Sequence, residues 1–99
     1  MSSKVRPSSG NVFADLGFSD EAALNLKIRA DLMIQLTRLI ATRELTQAAA
    51  AKLLGVTQPR ISDLTRGKID RFSVDSLIEM LGRAGARVSL VVRHGRHAA

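Results

Sequence analysis

The chain has 99 residues and a net charge of +6, and 45% of its residues are apolar although only three, all phenylalanine, are aromatic. This composition supports one domain whose core is leucine, isoleucine, valine and alanine, which favours packed helices over a β-sandwich. The sequence contains no cysteine and no run of about 18 apolar residues, which excludes disulfides, thiolate metal sites, a cysteine nucleophile and a membrane-spanning helix.

Positive charge is concentrated in the second half of the chain. Residues 1–45 include six basic and five acidic residues, a net +1, whereas residues 46–99 include nine basic and four acidic residues, a net +5. A basic half favours a polyanionic partner, most often nucleic acid. The first ten residues lack the apolar segment of a secretory signal, so we expect a soluble cytoplasmic protein that binds nucleic acid and no membrane.

The first 43 residues predict a tail, a short arm and one long helix. Residues 1–10 are rich in serine and are expected to be disordered. Residues 11–18 (NVFADLGF) are too short for an amphipathic helix and predict an arm or a single turn. Ser19 or Asp20 then caps a helix that ends near Arg43. Its apolar residues recur at helical spacing, which predicts a buried stripe of Leu24, Ile28, Leu32, Leu36, Leu39 and Ile40.

Two short helices joined by a tight turn are predicted in residues 47–66, here called the helix-turn-helix unit. Thr46 caps the first helix, and Gly55 ends it because glycine readily adopts the left-handed conformation found just past a helix end. Thr57 caps the second helix, which ends at Gly67. This arrangement is typical of a DNA-binding helix-turn-helix, although an ordinary hairpin of two helices has the same local signals.

The stretch LTQAAAAKLLGVTQPRISDLTRGK, residues 45–68, resembles the helix-turn-helix of the XRE family, which includes phage Cro and cI-type repressors. In the family's twenty-residue unit the fifth place is small, the ninth is glycine, and the tenth, fifteenth and eighteenth are apolar. Counted from Gln47, these places are occupied by Ala51, Gly55, Val56, Ile61 and Leu64. The resemblance implies a compact all-α bundle of about five helices of the lambda-repressor-like DNA-binding type.

A recognition helix places its N-terminal side chains against base edges in the major groove. The predicted base contacts are Gln58, Pro59, Arg60 and Asp63. Gln58 can pair with adenine and Pro59 can touch a thymine methyl, while Arg60 can bind guanine or grip a phosphate. Asp63 can accept from cytosine, or it can instead orient Arg60 or Arg66. The predicted phosphate contacts are Thr46, Gln47, Thr57, Ser62, Arg66, Lys68 and Arg71.

The end of the chain predicts one more helix and a strand. Ser73 caps the helix, whose predicted buried stripe is Val74, Leu77, Ile78 and Leu81. Residues 87–93 alternate and predict a short C-terminal β-strand with Val88, Leu90 and Val92 on one side. Only Val12 and Phe13 offer an internal partner, so we expect the strand to pair with them, with a second copy or with a partner protein. Residues 94–99 predict a flexible basic tail, in which His94 and His97 are not expected to bind metal.

Residues 11–93 as a whole resemble the HigA-like subgroup of XRE antitoxins. The resemblance implies the antitoxin of a type II toxin-antitoxin pair, which represses its own operon and neutralises a RelE/HigB-like toxin. A solitary XRE-family regulator, and a protein whose main task is to bind a toxin, are the alternatives.

The expected mode of action is sequence-specific repression by a homodimer on a palindromic operator in double-stranded DNA. One recognition helix covers only a few base pairs, and members of this class use two-fold symmetry to read more. The sequence offers no nucleophile–base pair, metal cluster or phosphate-binding loop, so we expect no enzyme activity, no catalytic or metal-binding residues and no cofactor.

Overall fold

A computed structural model describes residues 11–94, which form five α-helices and one 3₁₀ turn, Ile69–Arg71. The helices are α1 (Val12–Asp15), α2 (Asp20–Thr42), α3 (Gln47–Leu54), α4 (Gln58–Thr65) and α5 (Val74–Arg83). The all-helical fold is therefore confirmed. None of these five helices is both long enough and apolar enough to cross a membrane. The predicted tail of residues 1–10 lies outside the described residues, as do residues 95–99 of the predicted C-terminal tail, with His97 among them.

The core lies where the four longer helices meet. Its largest fully buried side chains are Leu36 of α2, Leu54 of α3, Ile61 and Leu64 of α4, and Leu77 of α5. Burying a side chain of this size stabilises the fold by roughly 1.5–3 kcal/mol, so each helix is held by its own contribution to one shared cluster. The two helices of the helix-turn-helix unit are thus fixed against α2 and α5 as well as against each other.

Ser19, Thr46 and Ser73 form the predicted cap bonds at the starts of α2, α3 and α5. Thr57 lies at the N-cap position of α4, but its side chain makes no cap bond. The Thr46 hydroxyl accepts from the backbone N–H of Ala49 at 3.0 Å, and Gly55 ends α3 with a left-handed φ of +73°. At the start of α5, Ser73 and Ser76 each accept from the other's backbone N–H, which forms a capping box. Backbone groups that a helix end leaves unpaired are thereby satisfied locally.

The buried face of α2 differs from the predicted stripe at the start of the helix. Leu24 is 59% exposed, whereas Ala23 and Met33 are buried, and Leu36 is buried as predicted. The single-turn helix α1 packs on this end of α2, and the Asn11 side-chain amide donates to the carbonyl of Ala23 at 2.8 Å. Because α1 covers one side of the first turns of α2, the neighbouring side with Leu24 stays at the surface.

The predicted strand of residues 87–93 is not formed, and residues 11–94 contain no strand at all. Leu90 and Val92 are 76% and 82% exposed, while Val88 packs partly against the core. Val12 and Phe13, the candidate internal partners, belong to α1 instead, where their carbonyls accept bonds within the same short segment. A strand needs a neighbouring edge for its backbone groups, and the described part of a single chain supplies none.

Candidate nucleic-acid interface

The helix-turn-helix unit is closely packed at its turn. Ala51 is 7% exposed, and its carbonyl accepts from the backbone N–H of Val56 at 3.0 Å, directly after the turn. The side chain of Arg83 from α5 covers Gly55 so closely that a Cβ atom there would stand 2.7 Å from its Nε. The positive φ is what requires glycine at this turn, because the end of the flexible, exposed Arg83 side chain can move aside for a Cβ atom.

The four predicted base contacts divide into two pairs. Gln58 and Pro59 lie exposed in the first turn of α4. Arg60 and Asp63 instead contact residues that follow α4. Arg60 contacts Arg71 and Phe72, and Asp63 contacts Arg71. Asp63 Oδ2 accepts from Arg71 Nη1 at 3.3 Å, with 16% of the Asp63 side chain and 55% of the Arg71 side chain exposed. The alternative role for Asp63, orienting a basic side chain, thus has its partner in Arg71 and not in Arg60 or Arg66.

Arg60 is held by two contacts. Its Cζ lies 4.3 Å from the centre of the Phe72 ring, within the range of a cation–π interaction, and its Nη1 donates to the carbonyl of Arg71 at 2.7 Å. Phe72 is only 2% exposed, so the ring is part of the core. The guanidinium group therefore lies against the segment after α4.

The predicted phosphate contacts are all at least partly exposed, and they differ in what their side chains already do. Thr46 is committed to its cap, whereas Thr57 makes no side-chain cap bond at the start of α4. The Arg71 side chain forms an ion pair with Asp63. The remaining four are Gln47 and Arg66, which are exposed, and Ser62 and Lys68, which are half-buried.

Phe72 and Arg29 are two contributors to this region that the sequence analysis did not identify. From α2, Arg29 Nη1 donates to the carbonyls of Ile69 and Phe72 at 3.1 and 3.3 Å, while its Nε donates to Asn25 Oδ1 at 2.7 Å. Two features of the sequence could have identified them: Phe72 is the only aromatic residue after the helix-turn-helix unit, and Arg29 follows Asn25 by four residues, which places both on one face of a helix. Residues 69–72 are thus held from α2 on one side and from α4 on the other.

Most basic side chains of this region carry charge that no acidic neighbour offsets. Within residues 11–94, the ion pairs are Lys27 with Asp31 at 2.9 Å and Arg71 with Asp63 at 3.3 Å. Arg66 and Lys68 belong to neither pair. Their uncompensated positive charge attracts a polyanion, which is what a contact to DNA phosphates needs.

Known proteins share the sequence pattern and the fold of this region. A family model described as a helix-turn-helix domain matches residues 12–93. A solved structure named as an XRE family transcriptional regulator is similar with a TM-score of 0.68 and 32% sequence identity, covering 76% of this chain and 84% of that chain. No curated protein matches the chain. The family match includes α3, α4, the 3₁₀ turn and α5, which are the elements that position the candidate interface.

Proposed function

Because the chain belongs to the helix-turn-helix domain family, as an XRE-type DNA-binding transcriptional regulator, we propose that it represses transcription by binding one operator sequence in the major groove. The observation that carries the proposal is the exposed first turn of a helix whose other face is buried in the core. Gln58 and Pro59 lie in that turn, and Ile61 and Leu64 anchor it. An α-helix fits the major groove, and the Gln58 amide can pair with both N6 and N7 of adenine.

The phosphate contacts supply affinity that does not depend on sequence. Gln47 and Thr57 lie at helix starts, where backbone N–H groups and the helix dipole favour an anion. Arg66 and Lys68 follow α4 and add uncompensated positive charge, Arg71 presents a half-exposed guanidinium paired with Asp63, and Ser62 adds a hydroxyl. Replacing Arg66 or Lys68 by glutamine should weaken binding to all duplexes alike and lower the slope of affinity against salt by roughly one unit.

The operator-bound form that we propose is a homodimer on a palindromic site. Two recognition helices placed about 34–36 Å apart would meet successive turns of the duplex on one side. The segment after α5 supports this proposal, because its Leu90, Val91 and Val92 are all more than 70% exposed and a second copy would cover them. Two copies of the same segment can pair across a two-fold axis, since each presents the backbone edge that the other lacks.

We also propose that the protein acts as the antitoxin of a RelE/HigB-like toxin. Beyond the resemblance in sequence, α1, the segment that links it to α2, and α2 itself have a second group of exposed apolar side chains that a partner protein would cover: Val12, Leu16, Phe18, Leu24 and Ile34. Co-expression with the product of the neighbouring gene tests this role. Relief of growth arrest together with a stable complex supports it, and a neighbouring product with no toxicity favours the solitary regulator.

The decisive test of sequence-specific binding uses a duplex selected by the protein from a random pool. Replacing Gln58 by alanine should cost about 1–3 kcal/mol on that duplex and relax the preference at one base pair. Gln35 is another exposed glutamine, on α2, and provides the matched control, since Gln35→Ala should leave binding unchanged. If Gln58→Ala binds the selected and scrambled duplexes as the parent does, the assignment of the recognition helix is wrong.

A further inference from the structure

Two side chains of the recognition helix, one turn apart, are directed to the same short segment. Arg60 contacts the Phe72 ring and the Arg71 carbonyl, and Asp63 contacts the Arg71 side chain. The segment itself cannot easily follow a movement of α4, because Arg29 of α2 holds the carbonyls of Ile69 and Phe72. The contacts therefore connect the recognition helix to a part of the chain that is fixed elsewhere.

Reaching a base edge would require Arg60 to give up both of its contacts. The hydrogen bond from its Nη1 to the Arg71 carbonyl is 2.7 Å long, at the short end of the usual range for N–H···O bonds. The Phe72 ring is 2% exposed and cannot move with the guanidinium towards DNA. Gln58 and Pro59 have no such engagement and are fully available in the preceding turn.

We propose that Arg60 is a positioning residue, which clamps α4 to residues 69–72 and so sets the angle at which Gln58 and Pro59 meet the bases. It contacts neither a base nor a phosphate. The inference rests on the proposed function, because a clamp of this kind matters only if α4 is the recognition helix. Asp63 has a parallel role towards Arg71, which it holds beside α4.

The three roles open to an arginine here leave different signatures in DNA binding. Loss of a base contact relaxes the preference at one base pair and leaves the others intact. Loss of a phosphate contact lowers the salt slope by about one unit. Loss of a clamp loosens the whole of α4, so the loss of affinity caused by a mismatched base pair becomes smaller at every position of the site. The slope of affinity against salt then changes by well under one unit.

The experiment measures three single variants, and the double variant of Arg60 and Phe72, against the selected duplex, all of its single-base-pair variants and a series of salt concentrations. Arg60→Met keeps an apolar stem against the ring but removes the guanidinium, and Phe72→Leu removes the ring itself. Arg38→Met is the control, because Arg38 is an exposed arginine on α2. Thermal unfolding of the free single and double variants measures the coupling between Arg60 and Phe72 without DNA.

We expect Arg60→Met and Phe72→Leu to weaken binding to the selected duplex by a similar factor, on the order of tenfold. Both variants should also lower the mismatch penalty at every base pair of the site. The double variant should be no worse than the poorer single one, and Arg38→Met should match the parent. Relaxation at a single base pair, or a loss of about one unit of salt slope, in Arg60→Met alone overturns the proposal. A Phe72→Leu variant that fails to fold leaves the profile of Arg60→Met to decide. A parent that binds all duplexes alike refutes the proposed function, and the Arg60–Phe72 coupling in unfolding then shows separately whether the clamp exists.

Discussion

The run of four alanines in α3 offers a sharp test of how the helices pack. Ala50 is 0% exposed and Ala51 is 7% exposed, whereas Ala48 and Ala49 lie at the surface. A leucine at either buried position adds three carbon atoms to a site without room, which costs about 1–3 kcal/mol. For a domain of this size, each kcal/mol lowers the melting temperature by roughly 4–8 °C. We therefore expect Ala50→Leu and Ala51→Leu to melt about 5–20 °C below the parent.

Ala49→Leu is the matched control, because it introduces the same side chain on the exposed face, next to Ala50 and two residues before Ala51. Leucine and alanine are both good helix formers, so its stability should stay within about 0.5 kcal/mol of the parent. Differential scanning fluorimetry or circular dichroism on the three variants gives the comparison. If Ala51→Leu melts together with Ala49→Leu and binds the selected duplex like the parent, the described crossing of α3 and α4 is wrong.

Three other predictions concern helix ends and the tail. Gly55→Ala and Gly67→Ala should each cost about 1–2 kcal/mol in chemical denaturation because both positions have a left-handed φ. A variant as stable as the parent would contradict that backbone conformation. Ser73→Ala should lose roughly 1 kcal/mol of stability with its capping box, while Thr57→Ala, which loses no cap bond, should keep its stability and bind DNA less tightly; the reverse order would refute both assignments. Deleting residues 88–99 should leave a folded monomer in sedimentation analysis. A truncated chain that remains dimeric would show that these residues do not form the dimer interface.

The local signals in the sequence were sufficient to locate the helices. Thr46 and Ser73 accept from N–H groups only three residues away, and Gly55 ends α3 through its own backbone conformation. Interactions of this range do not depend on how distant parts of the chain are arranged. The helix-turn-helix unit was therefore predicted at the right residues, together with the exposed first turn that contains Gln58.

Tertiary structure alone decided which side chains of the candidate interface are free and which already contact other parts of the chain. Arg60 and Arg71 are eleven residues apart, and Arg29 lies forty residues before Ile69, so no spacing rule connects them. The same holds for Leu24, whose exposure depends on where α1 packs. Residues 87–93 alternate like a strand, yet a strand forms only where a second backbone edge is present. Sequence determines what each segment prefers locally, and the path of the chain determines which partners those preferences find.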